Sequence, residues 1–327
     1  MQKLLFINPI GAPFLGSIAD KCREHFDVKI IGKEGSDEGH LASMLYWADG
    51  VFFEFCTDYV KTALTKLNYQ KKVMIRLHRY ELYHPELIMS VYWPKVNKLF
   101  LTAQHTYDKF TEWYQVKPKE IKVITSLAID TNKYGVAERT FEKPYTIGIV
   151  GRVIRLKGIY EAIQMIKDLG PDYRLKIIGE CQDKEYLQNL RDLREDLNLV
   201  NYKDDSKTRV MFTNDLHGQR LVDAYKSLDI ILSMSTEECG QFSIGEGMST
   251  GCYPIIRNWR GSKNIWVDNP IGDTYTDILN YVRDWAGRSV EEKKALSLGA
   301  REYIKTKYEQ DLIENQIVDE IKKTMEA

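Results

Sequence analysis

Short apolar runs alternate with stretches in which hydrophobic positions recur every three or four residues, and this rhythm occurs twice along the chain. In the first half, runs at residues 3–8, 27–31, 51–54, 72–77, 98–102 and 121–125 predict strands, and the stretches 17–25, 58–67 and 106–114 predict helices between them. Strands alternating with helices build a parallel, doubly wound sheet. Residues 130–143 are polar and close on Pro144, which breaks the rhythm, and a fresh apolar run at 145–150 restarts it. Strands are then predicted at 145–150, 174–179, 229–234 and 252–256, with helices at 160–169, 184–197, 221–228 and 244–250. Residues 290–327 read as helical throughout, with Leu296, Ala300, Tyr303 and Ile304 on one face. The expected fold is α/β, with two Rossmann-like doubly wound domains. The first spans 1–143 and the second 144–327, and the terminal helices are expected to pack back on the first. A central cleft between two such domains would receive ligands at the carboxyl ends of the strands.

Composition narrows the class. A chain of 327 residues with 43% hydrophobic content can bury two cores of ordinary size. Its net charge of −1 argues against a general polyanion binder and so against a nucleic-acid acceptor, although the first half is slightly basic and the second slightly acidic. Five scattered cysteines, none in a Cys-x-x-Cys pair, suggest neither a disulfide framework nor a zinc site, and a reduced, cytoplasmic setting is expected. No apolar window approaches the roughly 18 residues of a membrane span, so membrane contact, if any, is expected to be peripheral, at the inner face.

The candidate chemistry lies at strand ends. Gly151-Arg152-Val153-Ile154-Arg155-Leu156-Lys157-Gly158 follows one predicted strand, and Glu238-Cys239-Gly240-Gln241-Phe242-Ser243-Ile244-Gly245-Glu246 follows another. Arg152 offers a planar fork of donors and Lys157 a mobile ammonium, both suited to phosphate. Gly240, Gln241 and Phe242 open a predicted helix, where backbone N–H groups suit sugar or phosphate oxygens. His78 closes the predicted strand 72–77, followed by Arg79, Tyr80 and Glu81. The loop after the first strand contains Gly11 and Gly16 but lacks the Gly-Lys-Ser/Thr ending of a nucleoside-triphosphate loop. There is no Asp-x-Asp metal motif, and no metal ligand set is assigned. Lys61, Lys66, Lys71, Lys72, Arg76 and Arg79 form a basic zone, which a solvated face explains better than a binding surface does. Tyr80, Tyr83, Tyr92 and Trp93 suit sugar stacking or core packing equally.

Taken in order, Gly151-Arg152 with Lys157-Gly158, Ile178-Gly179-Glu180, Glu238-x7-Glu246 and Gly251 resemble the retaining glycosyltransferases of the two-Rossmann-domain (GT-B) type, in particular family four. His78 and Ile129-Asp130 extend the resemblance into the first half. The resemblance implies sugar transfer from a nucleoside-diphosphate sugar, UDP- or GDP-linked, to an acceptor hydroxyl, with retention and with no metal or other cofactor. It implies donor contacts from Arg152, Lys157, Glu238 and Glu246, the last through the ribose diol, and a contact of His78 with the transferred sugar. It places Gly11 and Gly16 beside the diphosphate and Arg79 and Glu81 on the acceptor side. The implied acceptor is a glycan, a lipid-linked glycan or another hydroxyl compound. Departures are Gly247, where alanine is common, and the charged stretch 203–209 near the expected base pocket. Two other readings stay open from the residues: a non-catalytic sugar-nucleotide or glycan-binding relative, and a sugar-nucleotide epimerase or a phosphorylase of the same fold.

Overall fold

The computed structural model describes residues 1–11, 15–32 and 37–327. The chain divides into two compact units, one made of 1–126 with 311–327 and the other of 127–310. The division falls at Ser126 rather than at Lys143. The polar stretch 130–143 belongs to the second unit because it is anchored there: Arg139 donates to the carbonyls of Leu228 at 2.7 Å and Thr250 at 2.6 Å.

The first unit holds six parallel strands, β1 (Lys3–Ile7), β2 (Asp27–Ile31), β3 (Gly50–Glu54), β4 (Lys72–Leu77), β5 (Lys98–Leu101) and β6 (Ile121–Val123), in the order β2-β1-β3-β4-β5-β6. Every residue of β3 is buried, as are all but the first of β1 and β4. Such uniformly buried strands are what helices on both faces of a parallel sheet produce. The helix Gln310–Glu326 completes this unit. Its Glu320 carboxylate lies 2.5 Å from the buried Lys98 ammonium, and Met325 fills the space beside Gly50, where a Cβ would stand 2.2 Å from its sulfur.

The second unit repeats the plan with β7 (Tyr145–Val150), β8 (Tyr173–Ile178), β9 (Val210–Thr213), β10 (Ile230–Ser233), β11 (Tyr253–Arg257) and β12 (Ile271–Gly272), again parallel, in the order β12-β11-β10-β7-β8-β9. After β9 the chain crosses to the other side of β7 to form β10, so the strand order reverses between β7 and β10. In open α/β sheets the crevice for ligands opens at the carboxyl ends of such a reversal. The corresponding point of the first unit lies between β1 and β3.

Several elements differ from the sequence expectation. The helix read at 58–67 is one α turn, Asp58–Lys61, followed by a π-helical segment, Thr62–Lys66. The tail is two helices, Val290–Lys307 and Gln310–Glu326, because the chain between them turns to pair with residue 129: Ile129 donates to Tyr308 O at 2.8 Å and Gln310 donates to Ile129 O at 3.0 Å. Strands β9 and β12 and the helices Glu38–Trp47 and Tyr275–Ala286 had no reading in the sequence. β9 is short and follows a charged stretch, and β12 has only two residues, too few for an alternation to register.

Candidate active site

In the second unit, the strand-to-helix turn after β7 is shaped by Gly158. It adopts φ +62°, and a Cβ there would lie 2.3 Å from the Met234 carbonyl at the end of β10. The turn therefore closes against the loop after β10, and Thr236 N–H donates to Leu156 O at 3.0 Å. This contact brings the two sequence motifs together. Lys157 Nζ donates to Glu238 Oε1 in a half-buried ion pair. Arg152, two residues past β7, is exposed.

The helix Phe242–Ser249 starts at the position expected from the sequence. Gln241 caps it in a left-handed conformation, φ 60°, with its side-chain amide donating to Ser235 Oγ at 3.2 Å. Glu246 projects from the second turn and accepts from Tyr225 Oη at 2.6 Å. Tyr134, whose ring meets that of Tyr225 edge-on at 5.7 Å, gives it a second hydroxyl bond. Burial pushes the Glu246 carboxyl above its ordinary range, and the two tyrosine hydroxyls pull it part of the way back. Gly245 and Gly247 are set by their neighbours: added Cβ atoms would lie 2.9 Å from Ile129 and from Ile231 respectively. The Gly247 departure is thus a packing adjustment to β10.

Beside the β7 turn, at the carboxyl ends of β8 and β9, lies a cavity of about 470 Å³ lined by Val153, Glu180, Cys181, Arg191, Thr213 and Asn214, among others. Gly179 shapes its floor, with φ +150° and a Cβ position only 2.0 Å from Gly151 O. None of the charged residues 203–209 lines it.

The first unit organises its strand ends differently. His78 follows β4, and its Nε2 lies 2.5 Å from Oε1 of Glu54, the last residue of β3. Glu54 is fully buried and is gripped by Arg76 through Nε at 2.9 Å and Nη2 at 2.7 Å. Burial alone would raise the Glu54 carboxyl, but Arg76 and His78 together hold it below its usual range. Phe55 takes φ 80° and its ring lies tilted against that of His78 with centroids 4.5 Å apart.

Glu81 is also fully buried, which corrects its expected place on the acceptor side. Its carboxylate accepts from Cys56 N–H and from His78 N–H, the latter at 2.7 Å, so it props the turn that carries the histidine. Burial pushes its pKa up to about 8. Arg76 likewise leaves the basic zone, being buried and paired. Arg79 is half-buried, with its guanidinium 5.8 Å from the Tyr83 ring. Tyr80, Tyr83 and Tyr92 are exposed, whereas Trp93 is core. Gly11 lies in a turn at φ 75° and Gly16 in the first turn of the helix Leu15–Cys22. A Cβ at either would meet nothing within 4 Å. Residues 12–14 of that loop lie outside the described residues.

Sequence reasoning missed Glu54, Tyr134 and Tyr225. Glu54 had one usable signal: a lone acid closing one apolar run and a lone base, Arg76, near the end of the next, at positions that pair in register across β3 and β4.

Across its full length the fold is that of the GT-B glycosyltransferases, two Rossmann-like domains in one chain. Anabaena HepE, solved with UDP and glucose, is 15% identical and superposes with a TM-score of 0.79 over 99% of this chain and 100% of its own. A glycosyltransferase from Rickettsia africae gives 14% and 0.79 over 99% and 98%. Sucrose-phosphate synthase from Thermosynechococcus elongatus gives 12% and 0.76 over 99% of each. Residues 130–275 match the family described as glycosyl transferases group 1, a segment that contains both second-unit motifs. No curated protein matches it in sequence. Among the described residues no helix is long and apolar enough to cross a membrane.

Proposed function

We propose that this enzyme transfers a sugar from a UDP-sugar to an acceptor hydroxyl, with retention of configuration and without a metal ion. The observation that carries the donor assignment is the direct pairing of Lys157 with Glu238 across the β7–β10 switch point. An ammonium has three donors. One held by Glu238 fixes its position and leaves the others for a diphosphate oxygen. As the bond from the anomeric carbon to phosphate oxygen breaks, charge grows on that oxygen, and Arg152 and Lys157 supply the compensation a cation would give. The acceptor oxygen bonds to the anomeric carbon, and its proton passes to the departing phosphate on the same face. No protein nucleophile is assigned.

In this reading Glu238 orients sugar hydroxyls and Glu246 accepts from the ribose diol. Backbone N–H groups at Gly240, Gln241 and Phe242 face donor oxygens, and the base enters the cavity beside Gly179. Gly11 and Gly16 leave room for the diphosphate at the first strand end, and His78 contacts the transferred sugar. Uridine is favoured over guanosine because HepE, which shares the fold, holds UDP or UDP-glucose. The acceptor side includes Arg79 and a glycan or lipid-linked glycan hydroxyl.

The test is a thermal-shift series with UDP-, GDP-, ADP- and TDP-sugars. A ligand bound only by the folded state raises the melting temperature with concentration. UDP-sugars should do so in the wild type and fail to in Lys157→Ala. A shift that persists in that variant, or one given by GDP-sugars alone, overturns the corresponding part of the assignment.

A further inference from the structure

At the edge of the first-unit sheet where the strands begin, a cavity of about 310 Å³ lies among the entries to β1, β3, β4, β5 and β6. It is the opposite edge from His78: Lys72 opens β4 and His78 follows its end, about 20 Å away at roughly 3.3 Å per residue. Four lysines, Lys71, Lys72, Lys95 and Lys119, converge on the cavity, with Asp49 the one acidic side chain in its lining. Asp49 is already engaged, accepting from the Lys3 N–H at 3.0 Å and lying 3.5 Å from Lys71. Lys71 is steered by the Ala48 carbonyl at 2.6 Å and Lys95 by the Asn68 side chain at 2.5 Å. Lys72 and Lys119 have no ion-pair partner among the described residues.

A concave site that gathers four ammoniums against one occupied carboxylate is complementary to an anion. Its volume exceeds that of a bare phosphate. Tyr69 and Met325, both buried, add a wall for a small organic portion. We propose that this cavity is a phosphate-binding site, separate from the transfer site, which takes a phosphomonoester or phosphodiester group. The group can come from a free metabolite or from a lipid headgroup, since both present the same oxygens.

The test is calorimetric titration of the full chain with inorganic phosphate while UDP is kept saturating, alongside sedimentation with phosphatidylglycerol vesicles. Lys72 and Lys119 are not buried, and a Lys72→Ala/Lys119→Ala variant should melt as the wild type does. Phosphate should bind the wild type one to one, at least tenfold more weakly to the double variant, and unchanged to Lys157→Ala. Vesicle binding that needs Lys72 and Lys119, without binding of free phosphate, supports the site with a headgroup as the source. Equal binding by wild type and double variant, loss only in Lys157→Ala, or no binding of either probe overturns the proposal.

Discussion

In the first unit the charged groups beside the candidate histidine lie inside the protein: Glu54 and Arg76 are buried and hold each other, and Glu81 is sealed under the turn. In the second, Arg152, Lys157 and Glu238 sit on loops at the strand ends, with Arg152 exposed and the Lys157–Glu238 pair half-buried. Both sheets have six parallel strands and both present loops at a strand-order reversal. The same scaffold therefore carries one site braced by internal charge and another built from groups that water reaches. Substitutions in the first should register mainly as lost stability, and in the second mainly as lost turnover.

The largest effect should come from Glu54→Ala. It leaves the Arg76 guanidinium buried without its carboxylate, at a cost of about 3–5 kcal/mol. Urea unfolding should show the loss, and a midpoint within error of the wild type would break the contrast between the units. Next, Arg152→Ala and Lys157→Ala should each lower kcat/KM by about a hundredfold, on the order of 2–3 kcal/mol of transition-state stabilisation. Their unfolding midpoints should stay near that of the wild type.

A smaller signature is the pH dependence of stability. The Glu81 carboxyl, raised by burial to about 8 from an ordinary 4.5, keeps its proton in the folded protein while the unfolded chain releases it. Its contribution is full below about pH 4.5, declines as pH rises toward 8 and is level beyond. Glu81→Gln should flatten that decline in a series of melts, and an unchanged slope would remove Glu81 as its source. The least effect is expected from Tyr225→Phe. Removing a hydroxyl that holds the buried Glu246 carboxyl down lets its pKa climb further. Donor affinity, measured against pH, should then begin its fall on acidification at a higher pH than in the wild type, by a few-fold at most at neutral pH.

The two units also differ in how far their sites could be read from sequence. The second-unit motifs are local. Gly158, Lys157 and Glu238 announce themselves because a tight turn and a loop each need particular residues close together along the chain. The first-unit network is assembled across strands: Glu54 meets Arg76 and His78 only through the β3–β4 register, and an acid at the end of an apolar run looks like a strand entering solvent. The same limit applies to Tyr134 and Tyr225, which lie 112 and 21 residues from Glu246 in the chain. Strand positions were legible wherever apolar runs were long and failed at β9 and β12, where pairing rather than composition defines the strand. The unit boundary was misplaced because a polar stretch was read as a linker when its arginine is a tether.

The helix Gln310–Glu326 carries a further consequence. Lys98 is buried against Glu320, and Gln2 Nε2 bonds to Met325 O at 3.2 Å, so the first unit closes over contacts more than 200 residues apart in sequence. During synthesis the ribosome delivers the whole second unit before that helix emerges. The half of the protein that is made first is therefore finished last, and a chain that stops at Gln310 has its second unit whole while its first leaves Lys98 with Glu120 as its remaining partner and an open flank to the cell's proteases.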